Sequence, residues 1–356
     1  MQDYTNKTVY IGIDVHKKTF AVTAICDNAV VKKDTIAAYP EQLTQYIKKF
    51  FKGACVYTVY EAGFSGFYLH RHLIEQGINN IVVHAASIKV SARDRVKTDK
   101  RDSLKMARQL SNGELKGIKV PDEKRELLRM LTRTRNQLVG HKKRIGNQLK
   151  SLLFTQGLID PEDDMKVCKT WIKKIQQLKV AEEIRYSIDL FVQVWLDFDN
   201  KLKEILKKLH EQAKTDPVDI IYRSVPGIGA LSARILSNEL EDMKHFNSAK
   251  GLFSYTGLTP SEYSSGEHKH LGSISRQGKA LLRMILVQVA WRSIKQDKHL
   301  LEVFERVSKK AGKKRAIVAV ARKIIGCVRA CFKTGEIWCT NAPDSKECLT
   351  IQAEAC

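Results

Sequence analysis

The stretch VYIGIDVHKKTFAV, Val9 to Val22, ends one apolar run in an acid and begins a second after a basic turn. Val9–Ile13 leads into Asp14, the residues His16-Lys17-Lys18 follow, and Phe20–Ile25 resumes the apolar pattern. Short runs rich in Val, Ile and aromatics, separated by a few polar positions, predict adjacent strands. A third such run, Val30–Ile36, comes after the turn residues Asp27-Asn28. The opening therefore reads as a three-strand meander. It leaves a question: why a carboxylate closes a strand that reads as buried.

The next segment alternates. Leu43, Tyr46, Ile47 and Phe50 share one face of a helix starting at Pro40. CVYTVYEA is a fourth strand, GFSG turns into a second helix, and NNIVVHAA is a fifth strand. TDKRDSLKMARQL then reads as a helix with Leu104, Ala107 and Leu110 inward. Three meander strands followed by β–α alternation is the element order of an RNase H-like domain, so residues 1–115 are expected to form an α/β unit of that class.

Strand signals then fade. Leu131, Leu138, Ile145 and Leu152 recur every seven residues. After an interruption at GLIDPEDD, Ile184, Ile188, Phe191, Trp195, Phe198, Leu202, Ile205 and Leu209 alternate steps of four and three. That seam predicts a coiled-coil arm or helical hairpin over residues 116–215, with two ordinary amphipathic helices as the alternative. Residues 216–340 read as a mostly helical domain, opening with SVPGIGALSARILSNEL and interrupted by a polar loop, TPSEYSSGEHKHLGSISRQG. Residues 341–356 read as a tail.

Charge narrows the function. Lys and Arg total 61 against 39 Asp and Glu, a net +22 that favours a polyanionic partner through counterion release and steering. No apolar run approaches the ~20 residues a membrane helix needs, and MQDYTNKTVY lacks a signal-peptide layout, so a cytoplasmic protein without a membrane partner is expected. The eight cysteines have no C-x-x-C spacing, which fits reduced thiols better than a zinc ribbon.

The acids are patterned. Asp14 ends the first strand and Glu61 the fourth, while Asp99 and Asp102 stand three apart on one face of a helix. In an RNase H-like sheet these elements are neighbours, so four carboxylates would converge. Such a convergence is unfavourable without bound cations, and an all-oxygen set suits Mg²⁺ or Mn²⁺. Each acid also has a plain structural reading: Asp14 as a turn residue, Glu61 as a cap, Asp99 and Asp102 as first-turn acids complementing the helix dipole. The same IGIDV opens actin-like ATPases and sugar kinases, but their bare Gly- and Thr-rich phosphate turn is replaced here by VHKKT.

Taken together, YIGIDVHKKTF, YEAGFSGFYL, KTDKRDSLKMARQL, SVPGIGALSARIL and GLTPSEYSSG resemble the DEDD-type transposases of bacterial insertion sequences, the serine recombinases guided by a bridging RNA. The resemblance runs from about residue 8 to 335. It implies a RuvC-like metal site of Asp14, Glu61, Asp99 and Asp102, and a nucleophilic serine at Ser265 in the C-terminal transposase domain. It further implies Mg²⁺ or Mn²⁺, donor and target DNA, a structured non-coding RNA, a homo-oligomer (dimer or tetramer), and a bacterial protein acting at the nucleoid. Read on its own, Ser265 is a loop serine before Gly266, with Ser264 an adjacent rival. Two other functions stay open on the residues alone: a metal-only RuvC-like endonuclease or junction resolvase, and a non-catalytic nucleic-acid-binding scaffold.

Three places are expected to meet nucleic acid. Arg125, Arg129, Arg133, Lys142, Lys143 and Arg144 form a positive flank beside the apolar seam, where Glu126 is the single acid between Lys124 and Lys150. Gly227 and Gly229 in VPGIG resemble a helix-hairpin-helix turn that offers backbone amides to a phosphate. Lys313, Lys314 and Arg315 form a third cluster, with a solvated loop as its alternative.

Overall fold

The computed structural model describes residues 3–89, 99–160, 166–262 and 271–338. The chain divides into two compact units, Met1–Pro121 and Asp122–Cys356. Among the described residues no helix is long and apolar enough to cross a membrane. Cys26, Cys55, Cys168 and Cys327 are free thiols.

The first unit runs β1 (Thr8–Val15), β2 (Thr19–Cys26), β3 (Ala29–Ala37), α1 (Pro40–Phe50), β4 (Cys55–Glu61), α2 (Tyr68–Glu75), β5 (Asn79–Val83) and α3 (Asp99–Ser111). Its strands form one sheet ordered β3-β2-β1-β4-β5. Short turns make β1, β2 and β3 antiparallel, whereas the helical crossovers return β4 and β5 parallel to β1. The two faces are built differently. Ile11, Ile13, Val22 and Tyr60 join Leu43, Ile47, Leu69 and Leu73 of α1 and α2 in one apolar core. On the other face Val59 and Val83 meet Met106 of α3.

Gly12 sets how close α3 can come. A Cβ there would overlap the Ser103 carbonyl oxygen and lie 2.6 Å from the Ala107 nitrogen, so only a glycine lets the helix backbone rest on β1. Across the same face, Thr23 Oγ1 and Ser103 Oγ share a buried hydrogen bond of 2.9 Å.

The second unit opens with α4 (Glu123–Thr155), α5 (Lys169–Gln176) and α6 (Glu182–Lys214). The two 33-residue helices α4 and α6 pack along each other, each about 50 Å long at ~1.5 Å per residue. The heptad seam is filled from within the chain. Ile188, Val192 and Trp195 of α6 bury against Leu149 and Leu153 of α4 and Ile172 and Ile175 of α5. The two long helices thus pair with each other within the second unit. On α4 the fully buried apolar side chains are Leu149 and Leu153, while Leu131, Leu138, Ile145 and Leu152 are half-buried.

The chain continues through α7 (Val218–Ser224), α8 (Ala230–Leu240), α9 (Ala249–Tyr255), β6 (Pro260–Glu262), β7 (Leu271–Ile274), α10 (Ala280–Ser293), α11 (Lys298–Ala311) and α12 (Lys313–Thr334). Tyr222, Leu236, Leu286 and Ile324, from four of these helices, centre a second apolar core. Within it lies a charged inclusion. Arg234 is buried, with Nη2 donating to Asp216 Oδ2 at 2.6 Å and Nη1 lying 3.6 Å from Asp219 Oδ1. A buried guanidinium needs such anionic partners to offset its lost hydration.

Candidate metal centre

The site grows from strand register. β1 and β4 pair in parallel up to Ile13 opposite Tyr60, so Asp14, followed in β1 only by Val15, and Glu61, the last residue of β4, stand at the same level near the ends of neighbouring strands. Side chains alternate along a strand, which puts Asp14 on the face of Gly12 and Glu61 on the face of Val59. That is the face α3 covers, and α3 begins at Asp99. Asp99 and Asp102 occupy its first turn, where the helix dipole favours negative charge.

The structure brings three donor atoms together at this corner. Carboxylate oxygens of Asp14 and Asp99 and a ring nitrogen of His16 all lie within 4.8 Å of one another. His16 Nε2 is 3.2 Å from Asp14 Oδ2 and 3.1 Å from Asp99 Oδ2. Burial pushes the Asp14 carboxyl above its ordinary pKa; His16 opposes that rise, and the negative Asp99 and Asp102 add to it. A divalent ion would relieve this desolvation and repulsion, so the donor set fits one. Asp102 Oδ1 is 3.3 Å from Lys105 Nζ on the next turn. Glu61 stands exposed at its strand end, outside the three-atom cluster.

His16 is the site residue that the sequence pattern did not single out. Its signal is the spacing Asp14-x-His16: two residues apart at a strand end, both side chains leave the same face. The His16 N–H donates to Thr19 O at 2.9 Å, closing the β1–β2 hairpin and fixing the imidazole beside the acids.

The expected nucleophile, Ser265, lies outside the described residues, as does Ser264. The strands before and after that segment pair antiparallel, Pro260 opposite Ile274 and Glu262 opposite Leu271.

The basic flank of α4 splits into two groups. Arg125, Arg129 and Arg133 are engaged inside the second unit. Arg125 Nη1 donates to Ser237 O at 3.1 Å, and the buried Arg129 donates to Asn238 O and Glu239 O at 2.9 and 3.0 Å. Arg133 makes a two-pronged pair with Glu239 at 2.7 and 2.8 Å, which holds its guanidinium pKa above the usual value. The Arg129 bonds satisfy the Asn238 and Glu239 carbonyls in the last turn of α8, acceptors that a helix C-terminus leaves open. Lys142 is likewise paired, 2.6 Å from Asp199, and sits 3.8 Å over the Trp195 ring. Lys143 and Arg144 are exposed, as are Lys313, Lys314 and Arg315 in the first turn of α12.

Gly227 has φ +87, and a Cβ on it would come within 2.6 Å of Ser293 Oγ and 2.8 Å of Ser293 N. It is therefore needed for packing the α7–α8 turn on α10. Gly229, the N-cap of α8, faces open space.

Two family models match the chain. A DEDD transposase model of the IS110 type covers residues 11–155, and a model described as the transposase IS116/IS110/IS902 family covers residues 221–305. The y4qE protein of Sinorhizobium fredii is 29% identical over 80% of this chain and 72% of its own length. The transposase for insertion sequence element IS1533 of Leptospira borgpetersenii is 26% identical over 80% of this chain and 85% of its own. That for IS1111A of Coxiella burnetii is 22% identical over 88% of this chain and 86% of its own. The first model spans the strand ends and helix that carry Asp14, Glu61, Asp99 and Asp102, and the second spans the VPGIG turn and the serine loop. These matches make the chain a member of the IS116/IS110/IS902 family of DEDD transposases.

Proposed function

We propose that this transposase excises and inserts a mobile element by serine-mediated, metal-dependent strand cleavage and exchange, with a structured non-coding RNA choosing the donor and target DNA. The carrying observation is the convergence of Asp14 and Asp99 on the α3-covered corner of the sheet, in a unit read as RNase H-like and RuvC-like. Glu61 and Asp102 would complete the ligand set from the next strand end and the same helical turn. Bound Mg²⁺ or Mn²⁺ would supply positive charge for the phosphodiester oxygens.

The chain's own residues do the rest. Asp14, Asp99, Asp102 and Glu61 would hold the cation at the sheet corner, beside the place proposed for the scissile phosphate. Ser265 Oγ attacks phosphorus and one deoxyribose oxygen leaves, the serine proton passing in net to that oxygen, which gives a phosphoserine and a free hydroxyl. A hydroxyl from the exchanging strand then attacks the same phosphorus and restores the serine. In this reading the protein works as a homo-oligomer, dimer or tetramer, in which the acids of one subunit meet the serine of another.

Lys143, Arg144, Lys313, Lys314 and Arg315 are exposed and are assigned to phosphate contacts, with Gly229 offering its backbone amide, whereas the exposed Arg133 is held by Glu239. The α12 cluster carries its own argument. Three cations at a helix N-terminus oppose the dipole, an arrangement that a bound polyanion reverses.

The test is made in cells, with the gene between its native flanking DNA. The excised circular junction is amplified for wild type, Ser265→Ala and Asp14→Ala at matched protein levels. Junction from wild type alone supports the composite mechanism. Junction retained by Ser265→Ala and lost by Asp14→Ala replaces it with metal-only cleavage. Junction retained by Asp14→Ala sinks the metal reading and leaves the acids as scaffold.

A further inference from the structure

We propose that His16 is a nitrogen ligand of the metal centre, and that this nitrogen biases the site towards a first-row transition ion such as Mn²⁺ over Mg²⁺. The inference rests on the metal-dependent reading above and adds to its four acids a ligand of different chemistry.

The spacing carries the argument. In an octahedral ion with bonds of about 2.1 to 2.2 Å, neighbouring ligand atoms stand about 3.0 Å apart and opposite ones about 4.3 Å. His16 Nε2 lies 3.2 Å from Asp14 Oδ2 and 3.1 Å from Asp99 Oδ2, the separation of neighbours on one ion. All three donor atoms fall within 4.8 Å of one another, inside the reach of a single coordination sphere.

The fold holds the imidazole there. His16 follows Asp14 by two positions, so both leave the sheet on one face. Its backbone N–H closes the hairpin on Thr19 O, which fixes the Cα, and its side chain is 44% exposed, which leaves room for an ion and its waters. The other explanation for this geometry is a cationic placeholder that two carboxylates attract and an arriving ion displaces. The two differ in one observable: whether nitrogen remains bound once the ion is in.

The chemical consequence is selectivity. Carboxylate and water oxygens suit Mg²⁺ and Mn²⁺ alike, but Mn²⁺, as a first-row transition ion, accepts an imidazole nitrogen more readily than Mg²⁺ does. Changing a supporting residue of a metal site lowers affinity by about 10- to 100-fold, and a direct ligand should cost at least about tenfold. His16→Gln is therefore expected to weaken Mn²⁺ at least about tenfold while changing Mg²⁺ little.

Pulsed electron paramagnetic resonance on the full-length protein with Mn²⁺ alone reads the ligand directly. The expected result is a directly bonded ¹⁴N coupling in wild type that becomes the ¹⁵N pattern when histidine is ¹⁵N-labelled. It should vanish in His16→Gln, which still binds Mn²⁺, with circular dichroism confirming the fold. Mn²⁺ bound to wild type without nitrogen coupling, or with coupling that survives in His16→Gln, overturns the proposal and leaves the metal reading standing. Failure of wild type to bind Mn²⁺, or binding unchanged in Asp14→Asn, overturns the metal reading and this inference with it.

Discussion

Thr23 on β2 and Ser103 on α3 share a 2.9 Å hydrogen bond between two side chains that are each 1% exposed. Ser103 is the residue after Asp102, so this bond sets where the first turn of α3 lands on the sheet. A net hydrogen bond is worth about 1 kcal/mol, but an orphaned buried partner costs about 1–3 kcal/mol. Ser103→Ala and Thr23→Val are each expected to lower stability by about 1–2 kcal/mol, and the double variant by clearly less than their sum. A double-mutant cycle in urea checks this. Strict additivity would mean that the two hydroxyls do not act as a pair.

Gly12 on the same face predicts a larger effect. Its missing Cβ is the space in which the Ser103 carbonyl and Ala107 nitrogen sit, both of them backbone atoms that cannot swing aside. Gly12→Ala must push α3 off β1, at a cost of about 3 kcal/mol, the upper end for overpacked cores. Because α3 carries Asp99 and Asp102, Mn²⁺ affinity should fall along with the urea midpoint. A variant with normal stability and normal Mn²⁺ binding would refute this account of the packing.

Much of this was readable in the chain. The strand runs, the acids closing β1 and β4, and the three-residue spacing of Asp99 and Asp102 all depend on local periodicity, and local periodicity survives folding. His16 was hidden because its neighbours Lys17 and Lys18 make it look like part of a basic run. Its role needs the hairpin geometry and the arrival of α3 from more than eighty residues away. Arg125, Arg129 and Arg133 were obscured for another reason. Their main acceptors are carbonyls of residues 237–239 and the Glu239 carboxylate, and backbone acceptors leave no mark in a sequence. Lys142 read as one of a basic series until Asp199, 57 positions on, closed against it.

The split within that flank is testable. Arg129 is 8% exposed and bonds two α8 carbonyls, so Arg129→Ala strands buried acceptors. Hydrogen bonds to charged groups contribute about 1.5–3 kcal/mol, and a loss of about 2–3 kcal/mol is expected. Lys143→Ala and Arg144→Ala touch exposed side chains and should stay within about 0.5 kcal/mol of wild type. Their effect should instead be on nucleic-acid affinity, reducing the slope of log affinity against log salt by about one for each phosphate that is no longer neutralised. Urea titration and fluorescence anisotropy across a salt series separate the two groups. Equal salt slopes for wild type and Lys143→Ala would remove Lys143 from the interface.

Asp199 gives a prediction with a definite pH window. Lys142 donates to its carboxylate at 2.6 Å and Lys203 lies at 3.1 Å, which together hold its pKa down to about 2 against an ordinary 3.8. A lowered folded-state pKa means that the pairing stabilises the fold fully above the unfolded value. As pH falls from about 4 towards 2, the unfolded chain takes up a proton before the folded one does, and the contribution is lost. The lysines are partly exposed and water screens the pairing, so its size is held to about 1 kcal/mol. Asp199→Asn should therefore be less stable than wild type by about that amount at pH 7, by the same amount at pH 5, and by progressively less towards pH 2. Urea midpoints of both proteins across this range decide it. A difference that persists unchanged at pH 2 would show that packing of the α4–α6 hairpin, rather than the charge on Asp199, is what the substitution disturbs.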